Sequence, residues 1–200
     1  MTTLLLIRHA ACDPIGHFIA GRTPGIHLND AGRHQADALA ERLAGVRLDA
    51  IYSSPLERAR ETAECLARRA ALPIEVREEL GELDFGAWTG MNFQQLASDD
   101  RWRRFNTMRG RTRIPGGELM LEVQARVVSL AELARERFPN GRVSFVTHAD
   151  VLRGLLAHYL GIPLDLMQRF EIAPASVSVL ELGTDHVLIK GVNMIAGIAT

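Results

Sequence analysis

The sequence predicts an α/β fold, a three-layer α/β/α sandwich with a mostly parallel central sheet. Three observations predict it. Short continuous apolar runs, such as residues 4–7 (LLLI) and 142–147 (RVSFVT), fit strands buried on both faces, the pattern of a parallel sheet. Segments with helical periodicity alternate with those runs, which puts helices on the faces of the sheet. The composition, 47% hydrophobic and 24% charged over 200 residues, is that of a globular chain long enough for one packed domain.

Residues 4–7 form the first strand, closed by Arg8 and His9. Gly16, Gly21, Pro24 and Gly25 make the next stretch a loop. Asn29 is placed as the N-cap of a helix with Ala36, Leu39, Ala40 and Leu43 on its apolar face and Gly45 as its stop. Residues 46–52 read as a second strand. Ser54-Pro55-Leu56-Glu57 has the order of a helix start: a capping serine, proline in the first turn, and the glutamate of a capping box. That helix is expected to reach about residue 71, and residues 73–76 give a short strand. Residues 81–117 read as irregular, with a helix near 92–97. A long helix over 118–138 carries Leu119, Val123, Val127, Leu130, Leu133 and Ala134 on one face. An Asn140-Gly141 turn leads into the strand 142–147, closed by His148. Residues 149–160 form a helix ended by Gly161 and Pro163, and residues 177–182 and 186–192 are two last strands. No repeat, low-complexity tract or linker intervenes. Residues 1–200 therefore read as one domain, with a lid insertion expected at about 91–117.

Several classes of function are excluded. A net charge of −1 supplies no global field for nucleic acid or an anionic membrane, and neither is expected as a partner. No apolar run approaches the ~18 residues of a spanning helix, and no lipidation pattern shows. The start, MTTLLLIRHA, lacks the basic region and long apolar core of a signal peptide, so a cytoplasmic location is expected. Two cysteines, Cys12 and Cys65, exclude a disulfide framework and a four-thiolate zinc site. His27 and His34 are too far apart, at about two helical turns, to share a metal. No metal site and no cofactor is expected. A homodimer through an edge strand is the base-rate expectation for assembly.

The chemistry gathers at strand ends. In open α/β sheets ligands bind beyond the carboxyl ends of the strands. His9 and His148 each follow a buried-strand run immediately, so the two imidazoles share one crevice if those strands are neighbours. Arg8 precedes His9, and Arg58 falls in the first turn of the helix after Ser54, where a cation gains little unless an anion binds there. Read singly, each is an ordinary loop histidine or surface arginine.

Together these residues resemble the histidine phosphatase superfamily, with its phosphoglycerate-mutase-like fold. Leu6-Ile7-Arg8-His9-Ala10 resembles its Arg-His-Gly signature. Ser53-Ser54-Pro55-Leu56-Glu57-Arg58-Ala59, with Thr62-Ala63, is similar to its Ser-Ser-Pro-x-x-Arg-Ala-x-x-Thr-Ala motif. The run from Leu80-Gly81-Glu82 through Gly86-Ala87-Trp88-Thr89-Gly90 resembles Leu-x-Glu-x-x-x-Gly-x-Trp-x-Gly. Pro115-Gly116-Gly117-Glu118 and Val146-Thr147-His148-Ala149 resemble two further motifs. The set is in order and spans residues 4–149.

The resemblance implies a metal-independent phosphomonoesterase of the histidine acid phosphatase type, acting on a small-molecule phosphate ester. It implies His9 as the nucleophile that becomes phosphohistidine, and Glu82 as general acid and base. Asp84 is a weaker rival for Glu82's role. Arg8, Arg58 and His148, if protonated, would neutralise phosphoryl oxygens; Arg22, Ala149 and Cys12 are further expected substrate contacts. Two departures stand out: Ala10 replaces the usual glycine, and Cys12 stands where a hydroxyl would help hold phosphate. The short chain and the Glu-Leu-Asp-Phe-Gly version of the acid motif resemble the small phosphatase branch more than the mutases. A cofactor-dependent phosphoglycerate mutase and a non-catalytic phospho-ligand binding module are the alternatives. The basic run Arg101 to Arg113 is read as part of a lid that attracts anionic substrates through Arg111 and Arg113.

Overall fold

Leu4 and Leu6 sit in one apolar core and Leu5 and Ile7 in another, all four fully buried, which is why the first strand is apolar at every position. A computed structural model of the protein, describing residues 1–195, shows that strand as β1 (Thr2–Arg8). The chain continues through α1 (Asp30–Arg42), β2 (Ala50–Ser53), α2 (Glu57–Ala70), β3 (Ile74–Val76), α3 (Phe93–Ala97) and α4 (Asp100–Thr107). It ends with α5 (Met120–Arg137), β4 (Arg142–Thr147), α6 (Ala149–Leu160), β5 (Val177–Leu182) and β6 (Val187–Met194).

The strands form one sheet in the order β3-β2-β4-β1-β5-β6. β3, β2, β4 and β1 run parallel, and β5 and β6 are added antiparallel to their inner neighbours. One face is covered by α1 and α2 through Ala36, Leu39, Ala59, Ala63 and Leu66. The other is covered by α5 and α6 through Val123, Val127, Leu130, Leu152 and Leu155. This is the expected three-layer sandwich. No helix among the described residues is long and apolar enough to cross a membrane.

Several boundaries differ from expectation, each for a physical reason. The apolar stripe of α5 runs through Met120, Val123, Val127, Ala131 and Ala134. Leu119 lies at its N-cap and Leu133 is 46% exposed, because a period of 3.6 residues carries position 133 off the stripe. β2 begins at Ala50 rather than residue 46, since residues 44–49 form turns that end on the Arg142 carbonyl. Within 81–117 a second helix, α4, packs Trp102 and Phe105 against Trp88, with ring centroids 5.2 and 5.5 Å apart. Asn29 caps α1 as expected, accepting from the Gly32 amide. Ser54 does not cap α2, which starts at Glu57 after Leu56.

Candidate active site

The sheet brings the two histidines together. β1 and β4 are parallel neighbours in a register that pairs Arg8 with Thr147, so His9 and His148 leave adjoining strands side by side. Their rings meet edge-on at 5.1 Å between centroids. The His9 amide donates to the Thr147 carbonyl at 2.8 Å, continuing the ladder to the histidine itself.

His9 Nδ1 lies 2.7 Å from the Ala10 carbonyl oxygen. A carbonyl only accepts, so Nδ1 carries the proton and Nε2 the lone pair. Burial, then the charges of Arg58 and Arg8, push the His9 pKa down to about 3. The ring is therefore neutral at ordinary pH. The following residue is fixed in turn: the Ala10 amide donates to Thr62 Oγ1, and that hydroxyl donates to the Arg58 carbonyl. Gly32 presses on the next residue so closely that a Cβ there would lie 1.9 Å from the Ala11 carbonyl oxygen.

Arg58 is 2% exposed and donates to the Gly21 carbonyl at 2.8 Å. Arg8 donates to the Ile172 carbonyl at 2.6 Å. Each keeps one buried nitrogen without a hydrogen-bond partner among the described residues, Nη1 of Arg58 and Nε of Arg8. His148 is fully enclosed, and its Nε2 shares a 2.8 Å hydrogen bond with Ser54 Oγ. The serine read as a helix cap is thus committed to this imidazole. Nδ1 of His148 has no hydrogen-bond partner among the described residues and faces Glu82 Oε2 at 3.7 Å. Burial, then Arg58 and His9, hold His148 well below its ordinary pKa, so in this arrangement it is neutral rather than a third cation.

Glu82 is held beside the histidines by its neighbours. Its Oε1 accepts from the Leu83 amide at 2.8 Å. Its backbone carbonyl accepts from Arg22 Nε at 2.7 Å and Arg126 Nη2 at 3.3 Å. Burial, then the charge of Asp150, raise its pKa to about 7. The loop that carries Glu82 is locked to the 115–118 turn. Gly86, at φ +45°, would place a Cβ 2.3 Å from the Pro115 carbonyl oxygen, and Glu118 Oε2 accepts from the Asp84 amide.

These groups surround a cleft of about 180 Å³ with Arg8, His9, Arg58 and Glu82 on its wall. Cys12 lies there too, buried, with its thiol pKa raised first by burial. Four other expected contacts sit elsewhere, and His148, enclosed behind His9, is not on the cleft wall either. Arg22 is spent on the Glu82 carbonyl and on Glu118 at 2.9 Å, behind the acid rather than in the cleft. Ala149 opens α6 beneath His148 and does not line the cleft. Arg113 is paired with Glu122 and Arg111 lies on the Met108 sulfur, so neither lines the cleft. The arginine of this segment that joins the site's surroundings is Arg109, which is 3% exposed and bonds Asp150 at 3.1 Å.

Ser54, Thr62, Glu118, Arg126 and Asp150 were given no role in this site by sequence reasoning. The Gly-Gly-Glu motif carried a signal for Glu118, but its role needs the fold of the Glu82 loop onto it. Asp150 carried one too: an acidic residue two positions past His148 on a new helix.

The fold is the phosphoglycerate-mutase-like α/β sandwich, and its cleft brings the Arg8 and Arg58 cations together with the His9 imidazole at the carboxyl end of the sheet. The chain belongs to the histidine phosphatase superfamily (branch 1), which it matches over residues 4–195. It is 32% identical over 186 residues to phosphoserine phosphatase 1 of Hydrogenobacter thermophilus, covering 91% of this chain and 87% of that protein. The α-ribazole phosphatase from Shigella flexneri superposes with a TM-score of 0.87 at 25% identity, over 99% of each chain. A mycobacterial glucosyl-3-phosphoglycerate phosphatase gives 0.83 at 29% identity, over 96% of this chain and 98% of that one. The chain spans 51% of a bifunctional Mycobacterium tuberculosis protein to which it is 34% identical. These likenesses carry the superfamily and a kinship with phosphatases. They do not carry the narrower histidine acid phosphatase type.

Proposed function

We propose that the protein is a metal-independent phosphomonoesterase that hydrolyses a small phosphate ester through a phosphohistidine on His9. One observation carries the reading. Neutral His9 shares a cleft with two arginines, each holding a buried, unpartnered nitrogen, and with a carboxyl group of pKa about 7. Buried unpartnered donors cost stability unless they serve an anion.

His9 Nε2 attacks phosphorus as the bond from phosphorus to the ester oxygen breaks. Glu82 gives its proton to the departing oxygen, so an alcohol leaves and a carboxylate remains. Arg8 and Arg58 neutralise the phosphoryl oxygens as charge shifts among them. The bound dianion also favours protonation of His148, countering the burial that otherwise keeps it neutral. Water then attacks phosphorus, Glu82 takes its proton, and the phosphorus–nitrogen bond breaks to return neutral His9.

The test is hydrolysis of a panel of phosphate esters in the presence of EDTA, by wild type and His9→Ala. Turnover that survives EDTA, is lost in the variant, and leaves an acid-labile phosphoryl group on wild-type protein quenched in alkali is the expected result. Isomerisation of 3-phosphoglycerate without hydrolysis would replace this reading with a mutase. Binding of esters without turnover would replace it with a binding module.

A further inference from the structure

The cleft has two chemically distinct parts. Its cations, Arg8 and Arg58, stand with His9 and Glu82 at the strand ends. The rest of its wall is largely apolar: Pro14, Ile15, Phe18, Ile19 and Phe85. Ile15 and Phe18 are 38% and 37% exposed, so each offers apolar surface that a ligand in the cleft can cover. Phe18 belongs to a stretch that is pinned rather than loose. Its amide donates to the Pro14 carbonyl, the Ile19 amide donates to the Met91 carbonyl at 3.0 Å, and the Gly90 amide donates to the Ile19 carbonyl at 2.8 Å. A preformed apolar wall spends little free energy on ordering when a ligand covers it.

A further cation on the same loop is turned away: Arg22 is tied to the Glu82 carbonyl and Glu118. A substrate whose phosphate occupies the arginine floor therefore places the remainder of its body against apolar side chains. A second carboxylate there would lose water without gaining a partner. A hydrocarbon or aromatic body would instead remove apolar surface from water on both sides.

We infer that the substrate is a phosphomonoester of an alcohol with an apolar or aromatic body, selected by Ile15 and Phe18, and not a phosphorylated acid. This deepens the phosphatase reading and rests on it for the placement of the phosphate.

Binding separates the two claims, because it needs no turnover. The probes are 3-phenylpropylphosphonate and 2-amino-4-phosphonobutanoate, which lack a cleavable ester and carry a phenyl and an amino acid body respectively. Calorimetry on the wild-type protein is expected to give about tenfold tighter binding of the phenyl ligand, the scale of burying part of one ring. Phe18→Ala and Ile15→Ala should each remove most of that preference while leaving the affinity for inorganic phosphate unchanged. Equal or tighter binding of the amino acid phosphonate would overturn the inference. So would variants that weaken both ligands alike. With alkyl esters of similar leaving-group reactivity, 2-phenylethyl phosphate should also show a lower KM than phosphoserine or 3-phosphoglycerate. Efficient hydrolysis with the reverse preference would sink the inference and leave the phosphatase reading standing. The expected binding preference without hydrolysis of any ester would do the opposite.

Discussion

Glu82 and His9 owe their chemistry to opposite responses to one environment. Burial disfavours the charged form of each, so the carboxyl is raised to about 7 and the imidazole lowered to about 3. The proposed nucleophile is consequently neutral across the working range, while the proposed acid titrates within it. The kcat/KM reports the free enzyme and should fall as pH rises through about 7, as Glu82 loses the proton that it is proposed to donate. Glu82→Gln should lower kcat by about 10²–10⁴ and abolish that falling limb, measured as initial rates from pH 5 to 9. A falling limb that persists in Glu82→Gln would assign it to another group.

At the scale of elements, the site depends on close approaches that only glycine permits. The start of α1 meets the residues after His9 at Gly32, where an added Cβ would strike the Ala11 backbone. Gly32→Ala should therefore destabilise the protein by about 1–3 kcal/mol in urea denaturation, and should lower kcat by shifting residues 10–11. The second junction joins the segment before α5 to α6. Arg109 is stacked on Phe105, 4.5 Å from its ring centre, and reaches Asp150, which Arg153 also pairs at 3.2 Å. Burial acts to raise the Asp150 pKa, but Arg109 and Arg153 outweigh it, so the net shift is downward. Arg109→Leu should cost about 3 kcal/mol, the low end for a broken buried pair because Arg153 remains. The same variant should leave the Asp150 charge, still paired by Arg153, less neutralised and so raise the Glu82 pKa further, moving the falling limb of kcat/KM to higher pH.

At the scale of the whole molecule, the buried titrating groups couple folding to pH. The His9 folded pKa of about 3 lies below its ordinary 6.5, so the unfolded chain takes up that proton first. Stability from this group is lost as pH falls from 6.5 toward 3. Glu82 acts in the opposite sense: its pKa is raised from 4.5 to about 7, so its contribution is present below 4.5 and lost as pH rises through 7. Urea denaturation at pH 7 and pH 5 should show His9→Gln losing less stability on acidification than wild type. An equal loss in the two proteins would remove His9 from the account.

Apart from α4, the order of strands and helices, the Asn29 cap and the bounds of β4, α6 and β5 were legible in the sequence, and Arg8, His9, Arg58, Glu82 and His148 could be nominated from it as candidates. Each depends on local patterning or on residues clustered within a short motif. What needed the tertiary structure was who meets whom. Ser54 looks like a helix cap to its neighbours in the chain, yet it bonds a histidine that is 94 residues distant in sequence. Arg22 has the chemistry of an anion contact but is turned onto Glu118. Arg109 reads as one basic residue among many until burial pairs it with Asp150. Periodicity and propensity act over a few residues and can be read from the chain. The partner of a polar side chain, and the burial that sets its pKa, depend on strand order and helix packing, which bring distant residues together only once the sheet has formed.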